Sequence, residues 1–274
     1  MPNRADACYP ARMANTVIPI VRLAGLIAAT ASPGGGRVLN LAALEPALVK
    51  AFAMRRAPCV ALVVNSPGGS PVQSALIGRR IRQLSAQKDK PVVVFVEDAA
   101  ASGGYWIACA ADEIIADAAS IVGSIGVIGG GFGFADALAR LGVERRVHTA
   151  GRRKSQLDPF SPERPEDVAR LDVLLAGLHR EFIGWVRERR GARLKSHPDL
   201  FEGEIFTGRE GVELGLVDAL GDLNTVLRAR YGDKVKLKTI APARPSLLQR
   251  LFAASAAALV GEIETRAAWA RLGL

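Results

Sequence analysis

Residues Val92–Gly104 read VVVFVEDAAASGG, an apolar run that breaks abruptly at Ser102-Gly103-Gly104. The run has the aliphatic, β-branched character of a buried strand, and the glycines mark where the chain must turn. A serine between such a strand and the start of a helix is where a nucleophile is expected. The strand holds the backbone rigid, the glycines let a substrate approach, and a helix N-terminus favours negative charge. A serine hydroxyl is a poor nucleophile at neutral pH, so the position carries chemistry only if the chain also supplies a base and a site for an oxyanion.

Outward from this stretch, strand-like runs recur at Val17–Ile27, Cys59–Val64, Glu113–Ala116 and Ile121–Ile128. Segments of helical periodicity lie between them. Leu39–Met54 puts Leu41, Leu44, Leu48 and Phe52 on one face, and Val72–Ala86 has Ala75, Leu76, Arg79, Arg80 and Gln83 in a helical register. Alternation of strand and helix predicts a parallel-rich α/β fold. A longer helix is expected at Pro165–Arg190, with an apolar stripe of Leu171, Leu174, Leu175, Leu178, Phe182 and Trp185 suited to a core or a subunit interface. Gly203–Val217 has short runs and glycine turns, and Asp218–Asp222 closes the globular part. Ala241–Pro245 reads as a Pro-rich linker. Ser246–Leu274, with Leu248, Phe252, Leu259, Ile263 and Trp269 near helical spacing, reads as an amphipathic helix. Its two readings are docking on the body or a neighbouring subunit, and lying in a membrane interface. The expected organisation is a tail at 1–14, one catalytic domain at 15–240 and a C-terminal extension at 241–274.

Bulk properties narrow the function. The 274 residues are 49% hydrophobic but only 5% aromatic, so the core must be aliphatic. A net charge of +9 fits a solvated basic surface or attraction to anionic lipid. The basic residues are scattered or in short clusters such as Arg187–Arg190, without interleaved aromatics, which argues against nucleic acid. Cys8, Cys59 and Cys109 fit no metal or redox spacing, and the latter two sit in apolar runs as inert thiols. No metal cluster is evident, and Gly129-Gly130-Gly131-Phe132-Gly133 lacks the spacing of a dinucleotide fingerprint, so no cofactor is expected. Thr16–Thr30 is interrupted by Arg22 and is too short to span a bilayer, and no export signal precedes it. The expected location is the cytoplasm or the cytoplasmic face of a membrane.

A second glycine break supports the first. Asn65-Ser66-Pro67-Gly68-Gly69-Ser70 directly follows the apolar run Cys59–Val64. A Pro-Gly-Gly turn at the end of a strand exposes backbone N–H groups able to stabilise an oxyanion, and Gly103, just after the serine, offers a second donor. Among candidate bases, His179 lies on the Leu-rich helix, His197 is beside Pro198, and His148 ends a strand-like Arg145–Thr149. None has a setting that commends it. Gly151-Arg152-Arg153-Lys154-Ser155 offers a lysine, which can act as a base only when neutral; burial and neighbouring cations would lower its pKa from about 10.4.

Together these residues resemble a family. Asn-Ser-Pro-Gly-Gly at 65–69, Ala100–Gly104 with Tyr105 and Ala108, Gly123-Ser124-Ile125-Gly126-Val127, and Lys154 with Asp158-Pro159-Phe160 are similar to peptidase family S49, the signal peptide peptidase A and SohB type of serine protease. Intervals agree as well as order: Ser102 lies 33 residues after Gly69, 22 before Ser124 and 52 before Lys154. The resemblance covers about residues 15–225. It implies a ClpP/crotonase-like fold with a Ser/Lys dyad: Ser102 attacks, Lys154 carries the proton, and Ser124 orients the lysine amine. It further implies an oxyanion hole from Gly69 and Gly103, with Gly68 the alternative if the turn is offset by one. Short forms of the family assemble into rings with the lysine supplied across a subunit boundary, so a homo-oligomer with shared sites is expected. The expected substrates are apolar, extended peptides such as remnant signal peptides or membrane-protein fragments. The competing readings are a crotonase-type acyl-CoA hydratase or hydrolase, which has no need of Ser102 with Lys154, and a non-catalytic scaffold at a membrane.

Overall fold

The computed structural model describes residues 16–30, 38–241 and 266–274. The expected tail at 1–14, the linker beyond Ala241 and the first part of the C-terminal helix lie outside the described residues. Within the extension, residues 266–270 are helical.

One sheet organises the chain. Its strands are β1 (Val17–Ala24), β4 (Val60–Ser66), β5 (Val92–Ala101), β6 (Glu113–Ala116), β7 (Ile121–Gly123), β8 (Ile205–Thr207), β9 (Ala219–Leu220) and β10 (Lys236–Thr239). The main order is β10-β1-β4-β5-β6-β9, all parallel; β7 adds beside β5, and β8 pairs β7 antiparallel. A separate two-stranded pair joins β2 (Leu26–Ile27) to β3 (Val38–Leu39). Helices α1 (Leu41–Phe52), α2 (Pro71–Lys88) and α3 (Gly103–Ala108) cross between strands, as parallel pairing requires. They are followed by α4 (Ala135–Arg140), α5 (Pro165–Arg190), α6 (Gly208–Glu213) and α7 (Leu223–Tyr231). The fold is mixed α/β of the ClpP-like kind.

The central strands are apolar on both sides because both sides are covered. Ile18, Ile20, Ala61, Val63, Val93 and Phe95 pack with Leu227 and Tyr231 of α7 on one face. The alternate residues Leu62, Val64 and Val94 are fully buried as well, and period-two alternation turns them to the other face. Burying one aliphatic side chain of this size contributes about 1.5–3 kcal/mol. Cys59 and Cys109 are buried free thiols, and desolvation pushes them up to about 11 and about 12.

The helix expected at Val72–Ala86 forms as α2, with Ser74, Ile77, Gly78, Ile81, Leu84 and Ser85 buried and Arg80 paired with Glu45 of α1. Two local expectations are corrected. The run expected at Ile121–Ile128 stops as a strand at Gly123, because Gly123 and Ser124 take φ of +95° and +50° and turn the chain out of the sheet. Arg145–Thr149 has no strand structure.

By internal contacts the described residues of Met1–Gly126 and Ile183–Leu274 form one compact unit, and Val127–Phe182 form a second. The second holds α4, most of α5 and the chain between them. Inside it, Phe134 stacks near Phe132 and Phe160 at centroid distances of 6.4 and 5.6 Å, and the Arg145 guanidinium lies 4.9 Å over the Phe160 ring.

Candidate active site

β5 does not run straight to its end. Val96 pairs with Ala116 of β6, but from Ala99 onward the partner on that side is β7, and against β4 the register jumps from Val64↔Val96 to Ser66↔Ala100. Two extra residues therefore bulge out of β5 around Glu97-Asp98, which explains why the acidic pair interrupts an apolar strand. The bulge is held by side chains. Asn65 Oδ1 accepts from the Ala99 amide at 3.3 Å and its Nδ2 donates to Asp98 at 2.5 Å, while the Ser120 hydroxyl donates to the Glu97 carbonyl at 2.6 Å.

The bulge delivers Ser102 to the sheet's edge. Ala101 pairs with Gly123, and Ser102 N donates to Gly123 O at 2.9 Å, so Ser102 and Ser124 leave the sheet as the next residues in register. Both have φ of +50°, a region that L residues enter at a cost of about 1–3 kcal/mol. From Ala99 to Ala111 every residue is buried except Ser102, which is half-buried. Among the described residues neither serine hydroxyl has a hydrogen-bond partner.

α3 begins directly after Ser102 and is fastened along its length. Tyr105 is fully buried and donates to the Leu216 carbonyl at 2.8 Å. The carbonyls of Trp106, Cys109 and Ala110 accept from Trp185, Arg189 and Arg82 at 2.9, 3.0 and 3.2 Å. These side-chain donors satisfy carbonyls that the helix end leaves unpaired. Arg190, 2% exposed, donates to Gly215 O and to both oxygens of Asp218. The serine is thus mounted on a short helix that cannot easily rotate.

Opposite it runs the Pro-Gly-Gly turn. Gly68 has φ of +107°, and a β-carbon there would lie 2.8 Å from Ser102 Cβ and 2.9 Å from Gly103 N. Gly69 has φ of +133°, and a β-carbon there would lie 2.1 Å from Ile27 O. A β-carbon on Gly103 would meet Ser74 Oγ at 2.4 Å and Gly69 N at 3.4 Å. Only glycines let these three backbones come together. The Gly68 amide donates to Ser66 Oγ at 3.2 Å. Among the described residues no acceptor exists for the amides of Gly69 and Gly103, so two unspent donors stand beside the serine. That arrangement can stabilise an oxyanion formed at the serine.

Lys154 lies in the second unit, exposed, in the turn that follows Gly151. Its neighbour Asp158 accepts from the Arg145 guanidinium, from the Phe160 amide at 3.1 Å and from Ser161 Oγ at 3.4 Å. Those bonds, Arg145's first, hold the Asp158 carboxyl below the usual carboxylate range. The structure thus brings Ser102, Ser124, Gly68, Gly69 and Gly103 together in one unit and places Lys154 in the other. Sequence reasoning gave no role to Asn65, Ser66 or Ser120. The first two stood inside the quoted motif, and a polar residue at the end of an otherwise apolar strand was the available signal.

Comparisons with known proteins bear on the family and the fold. The family described as Peptidase family S49 matches residues 85–238. Protease 4 of Salmonella typhi is 33% identical over 182 residues, covering 65% of this chain and 28% of that protein. A Brucella melitensis protein named Na(+)/H(+) antiporter NhaA is 51% identical over 278 residues, covering 96% of this chain but 38% of its own length. The chain therefore spans well under half of these relatives. No helix among the described residues is long and apolar enough to cross a membrane. In structure, the 1510-N membrane-bound stomatin-specific protease, a lysine-to-alanine mutant in complex with a substrate peptide, superimposes with a TM-score of 0.52 at 14% identity, covering 88% of this chain and 98% of that one.

Proposed function

Because the chain belongs to peptidase family S49, we propose that it is a serine endopeptidase with a Ser102/Lys154 dyad, cutting extended apolar peptides. One observation carries the reading: Ser102 is held half-open at a strained φ, with the unspent amides of Gly69 and Gly103 beside it. In the proposed reaction Ser102 Oγ adds to the peptide carbonyl carbon and its proton passes to the neutral Lys154 amine. The carbonyl oxygen becomes an oxyanion between the two amides, and collapse expels the peptide amine, which takes the proton from Lys154. Water then repeats the sequence on the acyl-enzyme. Ser124, next in register to Ser102, is assigned to hold the lysine amine. That Gly68 already donates to Ser66 favours Gly69 as the turn's oxyanion donor.

A lysine amine is neutral enough for this task only when desolvated. Lys154 is exposed in a single chain, so we assign its burial to assembly: a ring in which a neighbouring subunit helps to enclose the site. The second unit supports this with large apolar side chains left in the open, including Ile128 at 75%, Phe132 at 82% and Leu141 at 75% exposure. The proposed substrates are remnant signal peptides or membrane-protein fragments, pairing by main chain beside the Pro-Gly-Gly turn. A charge of +9 supports peripheral contact with an anionic membrane face.

The test is covalent. A fluorophosphonate probe should label the wild type at Ser102, and Ser102→Ala should lose both labelling and peptide hydrolysis. Lys154→Ala should lose hydrolysis with the oligomer intact. Peptide hydrolysis that survives Ser102→Ala overturns the assignment and favours crotonase-type chemistry.

A further inference from the structure

We propose that Ser66 is a positioning residue that decides which amide of the Pro-Gly-Gly turn faces the substrate. This rests on the oxyanion reading of Gly69 and deepens it. Ser66 ends β4, is 0% exposed, and its single hydroxyl works in two directions. It donates to the Gly25 carbonyl at 2.7 Å, where β1 gives way to β2, and it accepts from the Gly68 amide at 3.2 Å.

Two further backbone groups of the turn are committed as well. Pro67 has no N–H to offer. Gly68 O accepts from Ile27 N, and Ser70 N donates to Ile27 O, each at 2.8 Å. Gly69 N alone in this run is left without an acceptor among the described residues. Its freedom is therefore a product of bookings made on either side of it, and the Ser66 hydroxyl makes the one that turns Gly68 N away from the nucleophile.

The control matters because of the residue types involved. Gly68, at a φ of +107°, has no β-carbon to resist rotation of the Pro67–Gly68 peptide that carries its N–H. Without the hydroxyl, the Gly68 amide loses its acceptor and the Pro67–Gly68 peptide can turn that N–H towards the nucleophile, where it competes with Gly69 N for the oxyanion, while Gly68 O and Ser70 N still tie the rest of the turn to Ile27. Ser66 also stands against α3, since a β-carbon on Gly104 would lie 2.6 Å from Ser66 O. The same residue thus sets the spacing between the turn and the helix that bears Gly103.

The experiment compares wild type, Ser66→Ala and Ser66→Cys, with thermal melting to establish folding, peptide hydrolysis to give kcat and KM, and a peptide aldehyde as a probe that forms an anionic adduct. In folded Ser66→Ala, kcat should fall about 10-fold, less than the ~10²–10³-fold that follows outright removal of an oxyanion donor. KM should stay within about twofold, and the aldehyde should weaken by the same factor as kcat, since both read transition-state stabilisation. Ser66→Cys, which keeps the volume and a weak hydrogen-bonding group, should fall between the two. If the alanine variant does not fold, the cysteine variant decides. Wild-type kcat and aldehyde affinity in whichever variant folds overturn the proposal, as does a loss confined to KM. Absence of Ser102 labelling and hydrolysis in the wild type overturns the peptidase mechanism itself, and this inference with it.

Discussion

The two units of the chain are built to different standards. Around Ser102 the backbone is packed so closely that Gly68, Gly69, Gly103 and Gly104 would each press a β-carbon to within 3 Å of a neighbouring atom. In Val127–Phe182, a β-carbon on Gly130, Gly131 or Gly133 would meet nothing within 4 Å, and Val173 and Leu174 on α5 are 71% and 60% exposed. The proposed nucleophile and oxyanion donors thus sit in a finished frame, while the proposed base sits in a region that leaves apolar surface exposed. Such a surface is what a subunit contact consumes. The proposed site is thus one that folding completes on the Ser102 side and that the proposed assembly would complete on the Lys154 side.

The sharpest way to break this comparison is to charge the open surface. Leu141→Asp with Val173→Asp should leave the chain folded by circular dichroism, because both side chains are exposed. The particle should shift to monomer by light scattering, and hydrolysis should drop on the order of 10⁴-fold, as when a catalytic group is withdrawn. An active monomer would end the idea of a shared site.

Glycine substitutions read the contrast next. Gly69→Ala should lower kcat by about 10²–10³-fold, since the new β-carbon meets Ile27 O and the turn must move its donor. Gly130→Ala in the second unit should be silent in activity and change stability by no more than about 0.4–1 kcal/mol, in the stabilising direction. Equal effects at the two positions would erase the distinction drawn between the units.

A smaller effect is expected from pH. Asp158, two residues before Phe160 in the loop that bears Lys154, has its carboxyl held low, chiefly by Arg145. A carboxylate depressed in the folded state contributes order that is present above its unfolded value of about 3.9 and fades as pH falls through the lower folded value. Amide exchange in residues 151–161 should therefore quicken below about pH 4 in the wild type, by a step that Asp158→Asn lacks. A step of the same size in the variant would show that Arg145 and Asp158 do not hold the loop.

Much of the architecture was legible in the amino acids. Aliphatic runs such as Val92–Val96, separated by helical segments, specify a parallel sheet covered on both sides, because a strand with no polar face has no side to leave in water. The family was legible for a related reason: glycines and serines at set intervals are hard to replace where backbones nearly touch. The inward face of α2 was not legible, since Ser74, Gly78 and Ser85 on it are small rather than hydrophobic, with Gly78 set against Trp106 and Trp185.

Composition and local pattern alone determined the layered α/β fold, the aliphatic core and the places where strands end in glycine. Only the tertiary structure decided that β5 would bulge at Glu97-Asp98, that Ser102 and Ser124 would leave the sheet side by side, and that the Gly68 amide would be taken by Ser66. The physical reason is range. Hydrophobic period and turn preference act between residues close along the chain, whereas a register shift or a committed amide depends on partners such as Asn65 and Ala99, 34 positions apart, which meet only when the sheet closes.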